Sequence, residues 1–398
     1  MKIAVFIKST TYHTGHGGFE VQNKLLCEGL VRRGHKVVVY APKKELKTLY
    51  KAENGVAYKF IECKFGNFKT LYSGSNQSWE MRSVAAFIED HKRDKYSVVL
   101  GQSSWALPLI RKKSYLGVKV ISILHGTKIG EYQTQLKNVK TLKELLISLR
   151  DIPHVMRTFF GSQREFVQGS DKLIAVSNFV KSAIIDETFV DERKIEVIHN
   201  GVDDTKYADI KNKVWNSASP VKLIYIGRVI RAKGLYVLID ALAKLTNSNW
   251  ELSVIGEGEA LEDLKSTISA KGLEDKIKCF GAMKYDKVLE ELWGADIFIL
   301  PSLRLEGLPM TIVEAMFSGL PCVVSDIGGN SDAVINNETG FLIKPGKVSD
   351  LALKIDDLIA NPEKRKLLGT NARNRAEKQF TIDKMLDAYE RVIKGVSK

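Results

Sequence analysis

The stretch KLIYIGRVIRAKGLYVLIDALAKL, residues 222–245, divides into three parts. Residues 222–226 are apolar at nearly every position, the pattern of a strand buried on both faces. The next eight, G-R-V-I-R-A-K-G at 227–234, have glycine at each end and basic residues between. From 234 to 245 the apolar residues return at helical spacing. A buried strand, a glycine-bounded turn and a helix make the repeating unit of a parallel sheet covered on both faces.

The same alternation runs through the chain. Strand-like runs fall at 2–8, 36–41, 97–100, 118–124, 172–176 and 195–199, then at 222–226, 251–255, 276–280, 297–301, 321–325 and 340–343, with helical periods such as 19–33 between them. Two such sets predict an α/β chain of two doubly wound, Rossmann-like domains with right-handed crossovers. The seam is expected near HNGVDDTKY, 199–207, where a strand meets Asn-Gly turn chemistry, giving domains 1–200 and 201–379. Residues 208–220 read as a polar loop. Ligands of open α/β sheets bind past the carboxyl ends of the strands, so two such domains are expected to face each other across a cleft.

Composition bounds the function. At 398 residues, with 44% hydrophobic and 27% charged residues, the chain reads as a soluble two-domain protein. No apolar run reaches the ~18–20 residues of a membrane span. The opening MKIAVFIKST is too briefly apolar for a signal peptide and has no cleavage site, so it reads as a first buried strand. Cys27, Cys63, Cys279 and Cys322 have neither metal-ligand nor disulfide-framework spacing, which points to a reducing cytoplasm. Charge is lopsided: residues 1–200 hold 32 Lys and Arg against 19 Asp and Glu, while residues 201–398 hold 28 of each. A basic field confined to one half suits a polyanion such as anionic lipid, acidic glycan or nucleic acid. It is equally what a solvated basic surface without a partner would show.

The candidate site residues follow strands. T-G-H-G-G-F-E, 14–20, stands between the first strand and a helix, where Gly17 and Gly18 let backbone N–H groups approach an anion. The dinucleotide pattern G-x-G-x-x-G is not met there, nor in G-E-G-E-A-L at 256–261, so nicotinamide is disfavoured. His125 ends the strand 118–124 and precedes Gly126; a structural histidine and a functional one fit that position equally. Arg228 and Lys233, in the 227–234 turn, would oppose the dipole of the helix that follows unless an anion is bound. A planar Arg fork and a Lys point charge before a helix suit a diphosphate. The G-K-[ST] order of a Walker loop is absent. Finally, EGLPMTIVEAMFSGLPCVVSD, 306–326, sets Glu306 in a loop after a buried strand and Glu314 early in the next helix. Neither has a cation beside it in sequence. Two carboxylates for two polyols, with two cations for the bridge between them, fit a sugar nucleotide; a capping acid plus a surface acid is the plainer alternative.

With these motifs the chain resembles the family-4 glycosyltransferases, retaining enzymes of the GT-B fold, over nearly its whole length. The resemblance rests on E-x7-E from Glu306 to Glu314 with A-x-x-x-G-x-P-x-V after it, on G-R-x-x-x-x-K-G at 227–234 and on A-V-S-x-x-x-K at 175–181. N-G-V-D at 200–203, G-x-G at 256–258 and G-G-x-E at 17–20 complete the set. It implies a nucleotide-diphosphate sugar, UDP- or GDP-linked, held mainly by the second domain, and a glycan or lipid-linked acceptor held mainly by the first. It implies that Arg228 and Lys233 neutralise the diphosphate, Glu314 binds the ribose and Glu306 the transferred sugar. Gly307, Leu308, Pro309, Met310 and Thr311 would line the sugar and phosphate pocket, and Met283, in the loop after Gly281, would flank the base. Gly17 and Gly18 would approach the phosphates, and His125 the donor sugar. It further implies a hexosyl transfer that needs neither cofactor nor metal, and a last helix at about 380–398 that packs back on the first domain.

Nucleic acid is not an expected partner of such an enzyme. An anionic membrane surface is, because R-R-G-H-K (32–36), K-K-E-L-K (43–47), R-K-K (111–113) and K-N-V-K-T-L-K (137–143) all lie in the first half, the last leading to an apolar run with Phe159 and Phe160. The competing functions are a sugar-nucleotide-binding partner protein without transferase activity and a sugar-nucleotide epimerase or hydrolase.

Overall fold

A computed structural model describes residues 1–13, 17–64, 78–137, 139, 142–212 and 220–397. Residues 14–16 of the first glycine turn lie outside the described residues. So do 65–77, residues 138, 140 and 141 of the basic run at 137–143, and 213–219 of the polar run at 208–220. The chain forms two compact units, one made of Met1–Ile129, Arg150–Gly201 and Ile382–Lys398, the other of Gly130–Leu149 and Val202–Thr381.

The first unit is built on eight strands: β1 (Lys2–Phe6), β2 (Lys36–Pro42), β3 (Tyr50–Glu53), β4 (Val56–Ile61), β5 (Val98–Gln102), β6 (Lys119–Leu124), β7 (Lys172–Ala175) and β8 (Ile195–Val197). They lie in the order β3-β4-β2-β1-β5-β6-β7-β8, parallel except for β3, which runs antiparallel to β4. The direction of winding reverses between β1 and β5, so the loops after these two strands border the switch point where such sheets take ligands. β3 and β4 were not expected from the apolar runs. β4 alternates buried and half-buried residues instead of forming a continuous run, and β3 is largely exposed at the sheet edge. Their local signal is the turn: Asn54 and Gly55 both take positive φ, as a two-residue hairpin requires.

The last helix, Ile382–Ser397, belongs to this first unit and lies along the helix Gly18–Arg32. It buries Met385, Leu386, Tyr389, Val392 and Ile393 on one face. Leu386 packs so closely on Gly29 that a Cβ there would come within 2.5 Å of its Cδ1. Arg33 donates to Asp387 and Asp383, and His35 Nε2 lies 2.8 Å from Glu390 Oε1. Each of the large apolar side chains in this contact contributes about 1.5–3 kcal/mol by leaving water.

In the second unit β9 (Val221–Ile226), β10 (Trp250–Ile255), β11 (Ile277–Gly281), β12 (Ile297–Leu300), β13 (Cys322–Ser325) and β14 (Gly340–Ile343) form a wholly parallel sheet. The order is β11-β10-β9-β12-β13-β14. Counted within the unit, this is the 3-2-1-4-5-6 order of the dinucleotide-binding fold, and winding reverses between β9 and β12. β12 is buried at every position, as the run IFIL predicts. The E-x7-E stretch begins in the loop that leaves β12, and the G-R-x-x-x-x-K-G turn leaves β9. The two motifs therefore share one edge of one sheet.

Candidate functional site

The two loops at the β9/β12 switch point are pressed together. Gly234, at φ +75°, closes the turn after β9, and a Cβ on it would come within 1.8 Å of the Pro301 carbonyl oxygen. Leu303 N–H donates to the Ala232 carbonyl at 2.9 Å. This contact brings Lys233 to Glu306: Nζ donates to Oε1 at 2.7 Å, with the side chains 14% and 11% exposed. The Ser302 hydroxyl donates to the same oxygen at 2.8 Å. Burial pushes the Glu306 carboxyl up, but the charge and hydrogen bond of Lys233, with Arg304 and Ser302, hold it below the usual carboxylate range. The cation that pairs with Glu306 is thus supplied from 73 residues away, with the charge of Arg304, two residues before it, adding to the effect.

The Glu306 loop is also fixed from behind. Its carbonyl accepts from Gly329 N–H at 2.8 Å, and Gly328, at φ +63°, has no room for a Cβ, which would lie 2.3 Å from the same oxygen. Leu305 N–H donates to Thr134 Oγ1 at 3.2 Å. Arg228 is exposed, and no ion pair to its guanidinium occurs among the described residues, while its carbonyl accepts from the Tyr225 hydroxyl at 2.9 Å. The loop ends at the helix Met310–Phe317, which Pro309 precedes in extended conformation. Leu308 and Met310 are buried, Gly307, Pro309 and Thr311 half-buried, and Met283, after β11, half-buried.

Glu314, in the second turn of that helix, is 6% exposed. Tyr285 donates its hydroxyl to Oε1 at 3.3 Å and meets the Tyr207 hydroxyl at 3.2 Å; Lys206 lies over the Tyr285 ring at 4.5 Å. Burial raises the Glu314 carboxyl to about 7, only partly offset by the Tyr285 bond and the Lys206 charge. The two acids of one motif are thus set apart: Glu306 ionised and paired, Glu314 poised between its charged and neutral forms at neutral pH. Such a split marks groups with different tasks.

In the first unit, His125 follows β6 and Gln102 ends β5. His125 Nε2 lies 2.7 Å from Gln102 Oε1, and Gln102 Nε2 donates to Asn23 Oδ1 at 2.8 Å. In this arrangement Gln102 accepts from the imidazole Nε2–H, leaving Nδ1 as an acceptor. Phe19 meets the ring edge-on at 4.8 Å, and burial lowers the imidazole to about 4, so it is neutral at pH 7. Gly17 is the extended residue before the helix Gly18–Arg32, and Gly18 is its first residue. A Cβ on Gly17 would meet Glu20 Oε2 at 2.5 Å, and Ser9 donates to Glu20 Oε1. The start of this helix therefore already carries a carboxylate of the chain itself.

Sequence reading did not single out Asn23, Gln102, Lys206, Tyr207, Tyr285, Ser302 or Gly328. Gly328 carried a weak signal in the pair Gly328-Gly329 after a strand. Ser302 meets Glu306 only four residues on, while the others show their part through contacts distant in sequence.

Residues 16–206 match the model of "Glycosyltransferase Family 4" and residues 208–375 that of "Glycosyl transferases group 1". The chain belongs to the family-4 glycosyltransferases. Among curated relatives of this glycosyltransferase, the UDP-Gal:alpha-D-GlcNAc-diphosphoundecaprenol alpha-1,3-galactosyltransferase of Escherichia coli is 29% identical over 77% of this chain and 78% of its own. N-acetyl-alpha-D-glucosaminyl L-malate synthase of Bacillus anthracis is 26% identical over 69% of this chain and 67% of its own. The structure of Anabaena HepE in complex with UDP-glucose superposes with a TM-score of 0.74 at 20% identity, covering 99% of this chain and 100% of that one. Sucrose-phosphate synthase of Thermosynechococcus elongatus gives 0.80 at 18% identity, covering 99% and 98%. The fold is GT-B, mixed α/β with two sheets.

Proposed function

We propose that this glycosyltransferase moves a hexosyl group, with retention at the anomeric carbon and without a divalent metal, from a nucleotide-diphosphate sugar to a saccharide or lipid-linked acceptor. The observation that carries the reading is the Lys233–Glu306 pair at the β9/β12 switch point, with Arg228 on the same turn. A cation fixed against a carboxylate offers a phosphate oxygen and a sugar hydroxyl adjacent partners. The bound UDP-glucose of the HepE structure and the UDP-Gal named for the Escherichia coli relative support the donor class. The diphosphoundecaprenol in the latter's name supports a lipid-linked acceptor, met at an anionic membrane surface.

In this reading the second domain, about 201–379, holds the donor and the first, about 1–200 with the last helix, holds the acceptor. Arg228 and Lys233 neutralise the diphosphate, and the backbone from Gly307 to Thr311 lines it with the sugar. Glu306 orders the sugar hydroxyls, Glu314 takes the ribose diol, and Met283 flanks the base. Gly17 and Gly18 approach the phosphates, and His125, neutral with Nδ1 available, accepts from a hydroxyl of the transferred sugar. As the anomeric C–O bond breaks, its electron pair goes to the β-phosphate oxygen, where the two cations oppose the developing charge without reorganising. The acceptor hydroxyl bonds to the anomeric carbon on the face being vacated, and its proton passes to the departing phosphate.

The test is incubation with labelled UDP-hexoses, UDP-N-acetylhexosamines and GDP-mannose, with and without acceptor, before and after EDTA. Transfer giving a product of unchanged anomeric configuration, undiminished by EDTA, is expected. Inverted product, recovery only on adding magnesium or manganese, epimerisation alone, or binding without turnover would each overturn the corresponding part.

A further inference from the structure

The loops that leave β9 and β12 hold four basic residues: Arg228, Arg231 and Lys233 after the first strand, Arg304 after the second. Two of them are already tied to carboxylates. Arg231 Nη2 lies 2.6 Å from Asp263 Oδ2, and Lys233 is paired with Glu306. Lys233 can still offer a hydrogen bond to a phosphate oxygen, but the pair as a unit is neutral. Arg228 and Arg304 are left, and no ion pair to either guanidinium occurs among the described residues. Arg304 is half-buried, on a backbone fixed at three successive N–H groups. Leu303 N–H donates to the Ala232 carbonyl at 2.9 Å, Arg304 N–H to Ser302 Oγ at 3.2 Å and Leu305 N–H to Thr134 Oγ1 at 3.2 Å. Ser302 is fully buried and also donates to Glu306 Oε1, so one side chain registers the Arg304 backbone against the carboxylate two residues on. A guanidinium that stays near this carboxylate without pairing to it, on a fixed stem, is a cation held ready for a ligand.

Charge balance identifies the ligand group. A nucleotide-diphosphate sugar carries one negative charge on each phosphate. With the Lys233–Glu306 pair neutral as a unit, Arg228 matches one of these charges and leaves the other to Arg304. When the anomeric C–O bond breaks, its electron pair stays on the β-phosphate oxygen and adds a further charge there. A cation fixed in advance opposes that charge without reorganising. The β-phosphate is the one bonded to the transferred sugar, and Glu306, which orders that sugar, stands two residues from Arg304. We propose that Arg304 is a further catalytic residue of this glycosyltransferase, its guanidinium engaging the β-phosphate of the bound donor and of the departing nucleoside diphosphate. This deepens the nucleotide-sugar reading, on which it rests.

The experiment is calorimetry of the full-length protein with UDP, UMP, GDP and GMP, alongside turnover with the matching nucleotide hexose. R304Q keeps much of the side chain and removes its charge. It is expected to bind the nucleoside diphosphate that the wild type binds about tenfold or more weakly. The monophosphate, which has no β-phosphate, is expected to bind as it does to wild type. R304K, which keeps a charge without the planar fork, is expected to fall between the two. R231Q removes a neighbouring cation that Asp263 already holds, and is expected to stay within about twofold of wild type. Turnover of R304Q is expected to fall at least as far as its diphosphate affinity, because the opposed charge is greatest in the transition state. Circular dichroism and urea unfolding matching wild type certify that the variants fold. Equal losses in R304Q and R231Q would assign the effect to the general positive field and overturn the proposal. Equal losses for mono- and diphosphate overturn it too, as does a loss seen with the nucleotide sugar and not with the free diphosphate, which would have Arg304 act through Glu306. Wild-type protein that binds neither diphosphate overturns the nucleotide-sugar reading itself. Diphosphate binding by the wild type that R304Q leaves undiminished overturns the role of the arginine alone.

Discussion

Replacing Lys233 by Met keeps the length of the side chain and removes its charge, leaving Glu306 buried with the Ser302 hydroxyl against its oxygen and only the weaker influence of the Arg304 charge. Breaking a buried pair from one side costs about 3–5 kcal/mol because a charge is left uncompensated. The carboxyl has a way out, which is to take up a proton, and that sets a ceiling. An acid of ordinary value 4.5 costs about 1.36 kcal/mol per pH unit to keep neutral, hence about 3.4 kcal/mol at pH 7 and under about 1 kcal/mol at pH 5. In the wild type the carboxyl sits below its unfolded value, so its contribution is present above 4.5 and is lost as pH falls through the folded value. In K233M it sits above, so stability declines as pH rises from 4.5. The penalty of K233M should therefore grow by about 2–3 kcal/mol between pH 5 and pH 7. K233M/E306Q, which buries no charge, should unfold within about 1 kcal/mol of wild type at both. Urea unfolding followed by tryptophan fluorescence reads this directly. Equal losses for K233M and K233M/E306Q at pH 7, or a K233M penalty independent of pH, would refute the reasoning.

Three further outcomes are expected. Arg228→Ala should weaken UDP binding about tenfold or more in calorimetry, because a charge-assisted hydrogen bond is worth about 1.5–3 kcal/mol. UDP affinity should rise with pH through about 7, since ribose hydroxyls donating to Glu314 favour its ionised form; binding should release a proton, and Glu314→Gln should abolish both effects. Gly328→Ala should cost about 1–3 kcal/mol through its positive φ and should depress turnover, because the added methyl meets the Glu306 backbone. Wild-type turnover by this variant would show that the Glu306 loop is not held from that side.

Strands buried on both faces could be read from the sequence because burial leaves a continuous apolar run, and all six of the second unit match the runs expected to within one residue at each end. β3 and β4 escaped because an edge hairpin is half solvated, and its one clear mark, Asn54-Gly55, is two residues long. For the site, the residue types were legible from motif order and from their places after strands. Their partnership was not. Lys233 and Glu306 stand in different βα turns, and only the reversal of winding between β9 and β12 makes those turns neighbours. The division between the two glutamates was equally hidden, since Tyr285 comes to Glu314 from the helix after β11 and is itself met by Tyr207 and Lys206 from the end of the expected seam, whose turn residues do not announce that contact.

The last helix bears on how the chain is made. Residues Val202–Thr381 are contiguous and can begin to collapse while synthesis continues, but the first unit lacks Ile382–Ser397 until all of them have been made. At about 5–20 residues per second, the gap between making Gly201 and making Leu386 is on the order of ten to forty seconds. Throughout that interval the face of Gly18–Arg32 that Leu386 will cover stands open, with Gly29 at its centre. Of the two units, the one whose translation starts earlier is thus completed later, and a nascent chain stalled before residue 382 presents to chaperones an apolar groove that the helix Ile382–Ser397 afterwards covers.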